Sequence, residues 1–208
     1  MNYSKIKLVL GLNDLAIGGA QRLAVDQLKL LDRNKFDLYL ITLKQCDWKS
    51  DFYSEIPEDV KVIKLRFDSY KNISSWIKLY KILSEIKPDI VKSTLVYSNT
   101  IFGVLKMFIG YKLITAEHNT NLLKNWYQIF LNKIIDRNSY TKVVDSKMVA
   151  EYLSETEKIN IDRFTVIYNG VDQKEIDKAI NEFVPLKKKF VKNLALIWMR
   201  KSFLVWLV

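Results

Sequence analysis

His118 is the only histidine in the 208 residues, and it stands between Glu117 and Asn119. An imidazole with a reference pKa of about 6.5 can move a proton near neutrality. Uncharged, it can donate a hydrogen bond to a hydroxyl group; equally, a lone histidine can be a structural hydrogen-bonder. One histidine cannot form a histidine metal cluster, and no metal ligands are expected. The second chemistry-bearing stretch is Gly18-Gly19-Ala20-Gln21. If a helix starts there, its unpaired backbone N–H groups can hold a phosphate. The same glycines also suit a plain tight turn. Asp145-Ser146 reads as a helix cap and Asn169-Gly170 as a turn dipeptide. Several dinucleotide and nucleophile signatures are missing. Gly11, Gly18 and Gly19 do not make G-x-G-x-x-G, and Lys44-Gln45 stands where an acid would follow the second strand. Neither G-x-x-x-x-G-K-[ST] nor G-x-S-x-G occurs.

These residues need elements to hold them. Residues 5–12 are a mostly apolar run, suited to a strand buried on both faces. Ala20, Leu23, Ala24, Gln27, Leu28 and Leu31 then recur at helical spacing. Further strands are expected at 36–43, 61–65, 89–95, 112–118, 142–146 and 164–168. Helices are expected from a cap at Ser74 or Ser75 to Lys87-Pro88, and over 97–110, 122–136 and 147–153, the last capped by Ser146. The alternation implies an α/β fold: a Rossmann-like, doubly wound, mostly parallel sheet with helices on both faces. Ligands in such sheets sit beyond the carboxyl ends of the strands. The polar clusters 13–19, 93–99, 117–119, 145–146 and 169–172 all fall at such ends.

Length allows one good core. The composition, 49% hydrophobic and 27% charged, is that of an ordinary globular chain. No apolar run approaches the roughly 20 residues of a spanning helix. Cys46 is the sole cysteine, so no intrachain disulfide can form, which fits a reducing compartment. The expected location is cytoplasmic. Net charge is +10, with six bases and no acid in residues 183–208. Such a surface can meet nucleic acid, anionic lipid or a phosphorylated substrate. Without an RNA-binding aromatic motif or zinc spacing, a nucleic-acid partner is not expected.

Taken in order, the motifs resemble the N-terminal half of the GT-B glycosyltransferases of family 4. The resemblance rests on Gly18-Gly19-Ala20, on Lys87-Pro88-Asp89-Ile90-Val91, on Thr115-Ala116-Glu117-His118, on Val144-Asp145-Ser146, and on Ile167 with Asn169-Gly170-Val171-Asp172. It implies retaining transfer of a sugar from a nucleotide-sugar to a glycan or lipid-linked acceptor, without a metal or other cofactor. His118 would be the catalytic residue contacting the transferred sugar. Gly18, Gly19, Ala20 and Gln21 would lie at the donor diphosphate. Glu117, Asn119, Ser146 and Asn169 complete the expected substrate-binding set. Relatives that use lipid-linked acceptors imply peripheral contact with the inner membrane face.

The resemblance runs from about Lys5 to Asp172, and residues 1–182 are expected to form an acceptor-side domain. Residues 183–208 read as a basic linker and a truncated or frameshifted start of the nucleotide-binding domain. The expectation is therefore little or no activity alone, with a separate chain as a complementing C-terminal domain. The alternative is a non-catalytic module that binds acceptor, anionic membrane or that partner domain.

Overall fold

In Ile6–Leu12 (β1) every residue from Leu8 onward is buried, as a strand covered on both faces requires. Strand alternation sends its side chains into two separate cores. Leu8, Leu10 and Leu12 join Leu38 and Leu40 of Phe36–Thr42 (β2) against Ala24, Val25 and Leu28 of Gly19–Leu30 (α1). Val9 joins Tyr39 and Ile41 on the opposite face. The computed structural model describes residues 4–45, 51–118, 126–170, 176–178 and 180–183. Its further elements are Lys61–Lys64 (β3), Ile73–Ile86 (α2), Ile90–Thr94 (β4), Val96–Ile109 (α3), Lys112–Glu117 (β5), Trp126–Asn138 (α4), Thr141–Val144 (β6), Lys147–Glu157 (α5) and Phe164–Val166 (β7).

The strands form one sheet in the order β3-β2-β1-β4-β5-β6-β7, and every neighbouring pair is parallel. The chain winds outward from β1 to β3, crosses back to β4, then winds the other way. Right-handed crossovers then put α1 on one face and the later helices on the other. Leu79 and Leu83 of α2, Ile101 and Phe102 of α3, and Ile135 of α4 accordingly share the Val9 core. Val149, Ala150 and Leu153 of α5 pack on Val144. This is the expected doubly wound α/β sheet with helices on both faces. The reversal of strand order opens a crevice between the carboxyl ends of β1 and β4. Gly11 allows α3 to close on β1 there: a Cβ at Gly11 would come within 2.2 Å of the Phe102 ring.

The ends of elements depart from expectation in places. Neither Ser74 nor Ser75 caps α2. Asn72 does, its Oδ1 accepting from the Ser75 amide at 3.3 Å and from the Ser74 hydroxyl at 2.7 Å. The serines lie two and three residues past the cap position, inside the first turn, where the Ser75 hydroxyl donates to Arg66 O at 3.1 Å. Lys87 ends α2 in the left-handed region, φ 50°, just before Pro88. Helix α5 runs beyond Leu153 to Glu157, because Glu157 has a buried partner described below.

The chain divides into two compact units, residues 1–168 and 169–208. In the second, residues 176–178 and 180–183 are helical. The expected start of the fourth helix at 122 and the basic run from 187 lie outside the described residues. Among the described residues no helix is long and apolar enough to cross a membrane.

Candidate functional site

Helix α1 begins directly beyond β1, so its first amides face the sheet's carboxyl edge. Gly18 is its N-cap, and no side chain caps it. The amides of Gly19, Ala20 and Gln21 have no intrahelical partner, as in any first turn. The glycines are not there for an unusual backbone. Gly18 has φ −170°, extended geometry open to any residue, and a Cβ at Gly19 would meet nothing within 4 Å. Gly19 leaves clearance over the helix start, whereas a Cβ at Gly18 would come within 2.6 Å of Gln21 Oε1. Asp14 Oδ1 organises the approach, accepting from the Ala16 amide and from Gln21 Nε2, each at 3.1 Å.

The next corner is the junction of β4 and α3. Leu95 has φ 77° and ψ 152°, a conformation that is nearly glycine-only and costs about 1–3 kcal/mol. Three hydrogen bonds hold it. Its amide donates to Ala116 O at 3.1 Å, and its carbonyl accepts from the Asn99 amide at 2.9 Å and the Ser98 hydroxyl at 3.1 Å. Asn13 ties β1 to the same corner, its Oδ1 accepting from the Ser98 amide at 3.1 Å. The strained turn aims Val96 and Tyr97 into a cleft of about 330 Å³ that Asn13, Tyr70, Glu117 and Gln128 also line. Tyr97 and Tyr70 pack with centroids 4.8 Å apart and rings tilted by 42°, and the Lys44 ammonium lies 4.3 Å from the centre of the Tyr97 ring. The Tyr97 hydroxyl donates to Phe67 O at 2.7 Å. Burial first, then the nearby Tyr70 and Asp68, push its pKa up to about 12. It stays a neutral donor, and the cleft offers an aromatic wall with amide groups around it, suited to a sugar ring.

His118 follows β5, on the side of the sheet opposite Glu117. Its Nδ1 is buried and makes no hydrogen bond among the described residues; the nearest Asp145 oxygen is 3.8 Å away. Burial lowers its pKa, and the Lys92 charge lowers it further, against the opposing pull of Asp145 and Glu117. The imidazole is therefore neutral at pH 7. Lys92 projects from β4, and its ammonium donates to Gln27 Oε1 at 2.6 Å with no carboxylate within ion-pair distance among the described residues. Burial alone brings its pKa to about 8.

Glu117 points the other way, into the fold. Its carboxylate is 3.0 Å from the Lys142 ammonium, which also meets Asp136 at 2.8 Å and Glu157 at 3.0 Å, all essentially without solvent exposure. Thr115 donates to Asp136 at 3.2 Å. Burial raises the pKa of Asp136 despite the adjacent ammonium, while the three carboxylates hold that of Lys142 high against burial. Ser146 caps α5, its hydroxyl accepting from the Val149 amide at 3.2 Å.

Gly18, Gly19, Ala20, Gln21, Glu117, His118 and Ser146 thus all stand at one edge of the sheet. Asn119 lies outside the described residues. Asn169 is exposed in the second unit. Sequence reading missed Asn13, Leu95, Tyr97, Tyr70 and Lys92 as site residues. Asn13, Leu95 and Tyr97 all sat in polar clusters at the right strand ends, which was a usable signal; the backbone conformation of Leu95 had none.

The model of the family described as Glycosyltransferase Family 4 matches residues 17–175. The chain is 25% identical over 197 residues to the Escherichia coli UDP-Gal:alpha-D-GlcNAc-diphosphoundecaprenol alpha-1,3-galactosyltransferase, covering 86% of this chain and 49% of that protein. Among solved structures it resembles a glycosyltransferase from Rickettsia africae, with TM-score 0.62, 18% identity and coverage of 87% of this chain and 50% of the other. Anabaena HepE, solved in complex with UDP, gives TM-score 0.60 at 14% identity over 86% of this chain and 50% of its own. These structures share the fold. The chain spans about half the length of each relative.

Proposed function

The chain belongs to glycosyltransferase family 4, and from that membership we propose that these residues form the acceptor-side half of a retaining sugar transferase. The donor is a nucleotide-sugar and the acceptor a glycan or lipid-linked glycan. The observation that carries the reading is the family match over residues 17–175, laid on a sheet edge where an uncapped helix start, a neutral histidine and an aromatic cleft occur together. The acceptor sugar lies in the cleft against Tyr97 and Tyr70. The α1 amides at Gly19, Ala20 and Gln21 meet the donor diphosphate. His118, uncharged, donates to the transferred sugar. Preorganised donors of this kind stabilise charge as it develops in the transition state, so the reading needs neither metal nor other cofactor. Glu117 acts from behind: anchored to Lys142, it fixes the end of β5 that carries His118. The relatives are twice as long, and the second half of the site belongs to a further domain, in the same polypeptide or a complementing one. The reading includes a cytoplasmic location with contact at the inner membrane face, where a lipid-linked acceptor is presented.

The test is sugar transfer. The 208 residues are assayed with UDP-galactose and a GlcNAc-diphospholipid, alone and joined to the C-terminal half of the Escherichia coli relative. Transfer is expected only in the joined form and is expected to vanish on His118→Ala. Strong transfer by the 208 residues alone would defeat the half-site reading. A well-folded joined form inactive with every nucleotide-sugar would defeat the transferase reading.

A further inference from the structure

Lys44 lies just beyond β2, and its amide donates to Asn13 O at 2.6 Å, which pins it beside the cleft that Asn13 lines. Its half-buried ammonium sits 4.3 Å from the centre of the Tyr97 ring. It has no carboxylate within ion-pair distance and no hydrogen bond among the described residues. Lys61 makes the same kind of ring contact, with Tyr39, but there Asp37 supplies the countercharge at 3.1 Å. A ring face compensates a cation only in part. The three N–H donors of Lys44 remain for a ligand.

The other groups of the cleft do not cancel this charge. Glu117 lines the cleft, but its carboxylate is engaged with the Lys142 ammonium at 3.0 Å. Asp68 is near enough to act on Tyr97, yet it is exposed and forms no ion pair with Lys44. The Tyr97 hydroxyl is committed to Phe67 O. Asn13 Oδ1 is taken by the Ser98 amide, which leaves its Nδ2 donors for the cleft. A ligand here meets an unpaired cation, amide donors and aromatic surface.

We infer that Lys44 is a specificity-determining residue, selecting an acceptor whose sugar carries an anionic group on the ring or joined directly to it. The anion takes the ammonium while the sugar packs on Tyr97 and Tyr70. Aromatic rings hold sugars of either kind, so the choice between charged and neutral falls to the ammonium. A neutral sugar closing on the cleft would strip water from Lys44 and return nothing, a penalty that an anion removes. Two sources fit: a phosphate that links the sugar to a carrier, and the carboxylate of an acidic sugar. The inference rests on the proposed acceptor role of this cleft, but it is read by binding without transfer, so the two can fail separately.

The full 208-residue chain is titrated by NMR with methyl N-acetylglucosaminide, N-acetylglucosamine 1-phosphate, glucuronic acid and inorganic phosphate, following the signals of Tyr70, Val96 and Tyr97. At least one of the two charged sugars should bind about tenfold tighter than the neutral one, with the gap narrowing in salt. Whichever binds tighter names the source of the anion. Inorganic phosphate, which lacks a ring to pack on the tyrosines, should bind more weakly than that sugar. Lys44→Gln should remove the preference and leave binding of the neutral sugar unchanged, while Lys44→Arg should keep it. Equal affinity for charged and neutral sugars overturns the inference, as does a preference that survives Lys44→Gln. Shifts confined to Gly19, Ala20 and Gln21 also overturn it, since the anion would then belong to the start of α1. So does the absence of shifts at Tyr70 and Tyr97 with every probe, and that result alone removes the acceptor role of the cleft as well.

Discussion

At His118, burial strips water from an imidazole while Lys92 sets a positive charge nearby, and both favour the neutral ring. As the only histidine, it gives a single side-chain signal to titrate by NMR. The expected midpoint lies below 6.5. Lys92→Met should raise that midpoint by removing a like charge, and Asp145→Asn should lower it by removing an attractive one. A midpoint above 6.5, or a shift of opposite sign in either variant, would refute this electrostatic picture. The stability consequence follows in sign. Below pH 6.5 the unfolded chain binds the proton more readily than the folded one, so His118 subtracts stability as pH falls through that window and nothing above it. Gly19 permits a second test. It is the first residue of α1 with room for a Cβ, so Gly19→Ala should raise stability by about 0.4–1 kcal/mol in thermal melts. If the missing Cβ serves donor approach, the same variant in the joined enzyme should lose kcat/KM at least tenfold. Unchanged kcat/KM would return the glycines to a turn role. His118 was legible in the sequence because its type is unique there. Lys92 was not: inside a strand it reads as an interruption, and its burial depends on α1, where its partner Gln27 lies 65 positions away.

Strand and helix order was readable because apolar spacing is imposed locally by burial, and the all-parallel sheet then follows from the connections. Junction geometry was not readable, since it depends on partners from elsewhere in the chain. Leu95 takes a conformation favoured by glycine only because Ala116 and Asn99 bond its backbone. The cluster around Lys142 belongs to the same class. Glu117 of β5, Asp136 of α4, Lys142 of β6 and Glu157 of α5 are scattered in sequence and meet in the interior. Removing one partner from a buried ion set strands the others, at about 3–5 kcal/mol. Lys142→Met should therefore lower the urea midpoint sharply, without a change in m. The loss should shrink as pH falls toward 5. Carboxylates buried without a countercharge take up protons in the folded state at higher pH than in the unfolded chain, so acid restores stability. Equal destabilisation at pH 5 and pH 8 would show that lost packing, not stranded charge, sets the cost.

At the scale of the whole molecule the proposed reading divides the binding work between two halves, the chain spanning about half the length of each relative. In that reading the acceptor side is the cleft wall: Tyr97 with its hydroxyl bonded, Tyr70 tilted against it, and Asn13 fixed by α3. The proposed donor side has, among the described residues, the α1 amides to offer a diphosphate, but Asp14 lies at the same helix start and would oppose an anion there. A helix N-terminus contributes typically 0.3–1 kcal/mol to holding a negative group at an exposed site. That is far short of the roughly 4 kcal/mol that a millimolar Kd represents. Calorimetry of UDP with the 208 residues should therefore give a Kd weaker than about 1 mM. Joining the C-terminal half of a relative should tighten it by at least tenfold. Asp14→Asn should tighten UDP binding in the joined form by removing a like charge, with least effect at high salt, where screening already weakens the repulsion. Micromolar UDP binding by the 208 residues alone would mean that they already hold a nucleoside pocket, and the division of labour between two halves would fail.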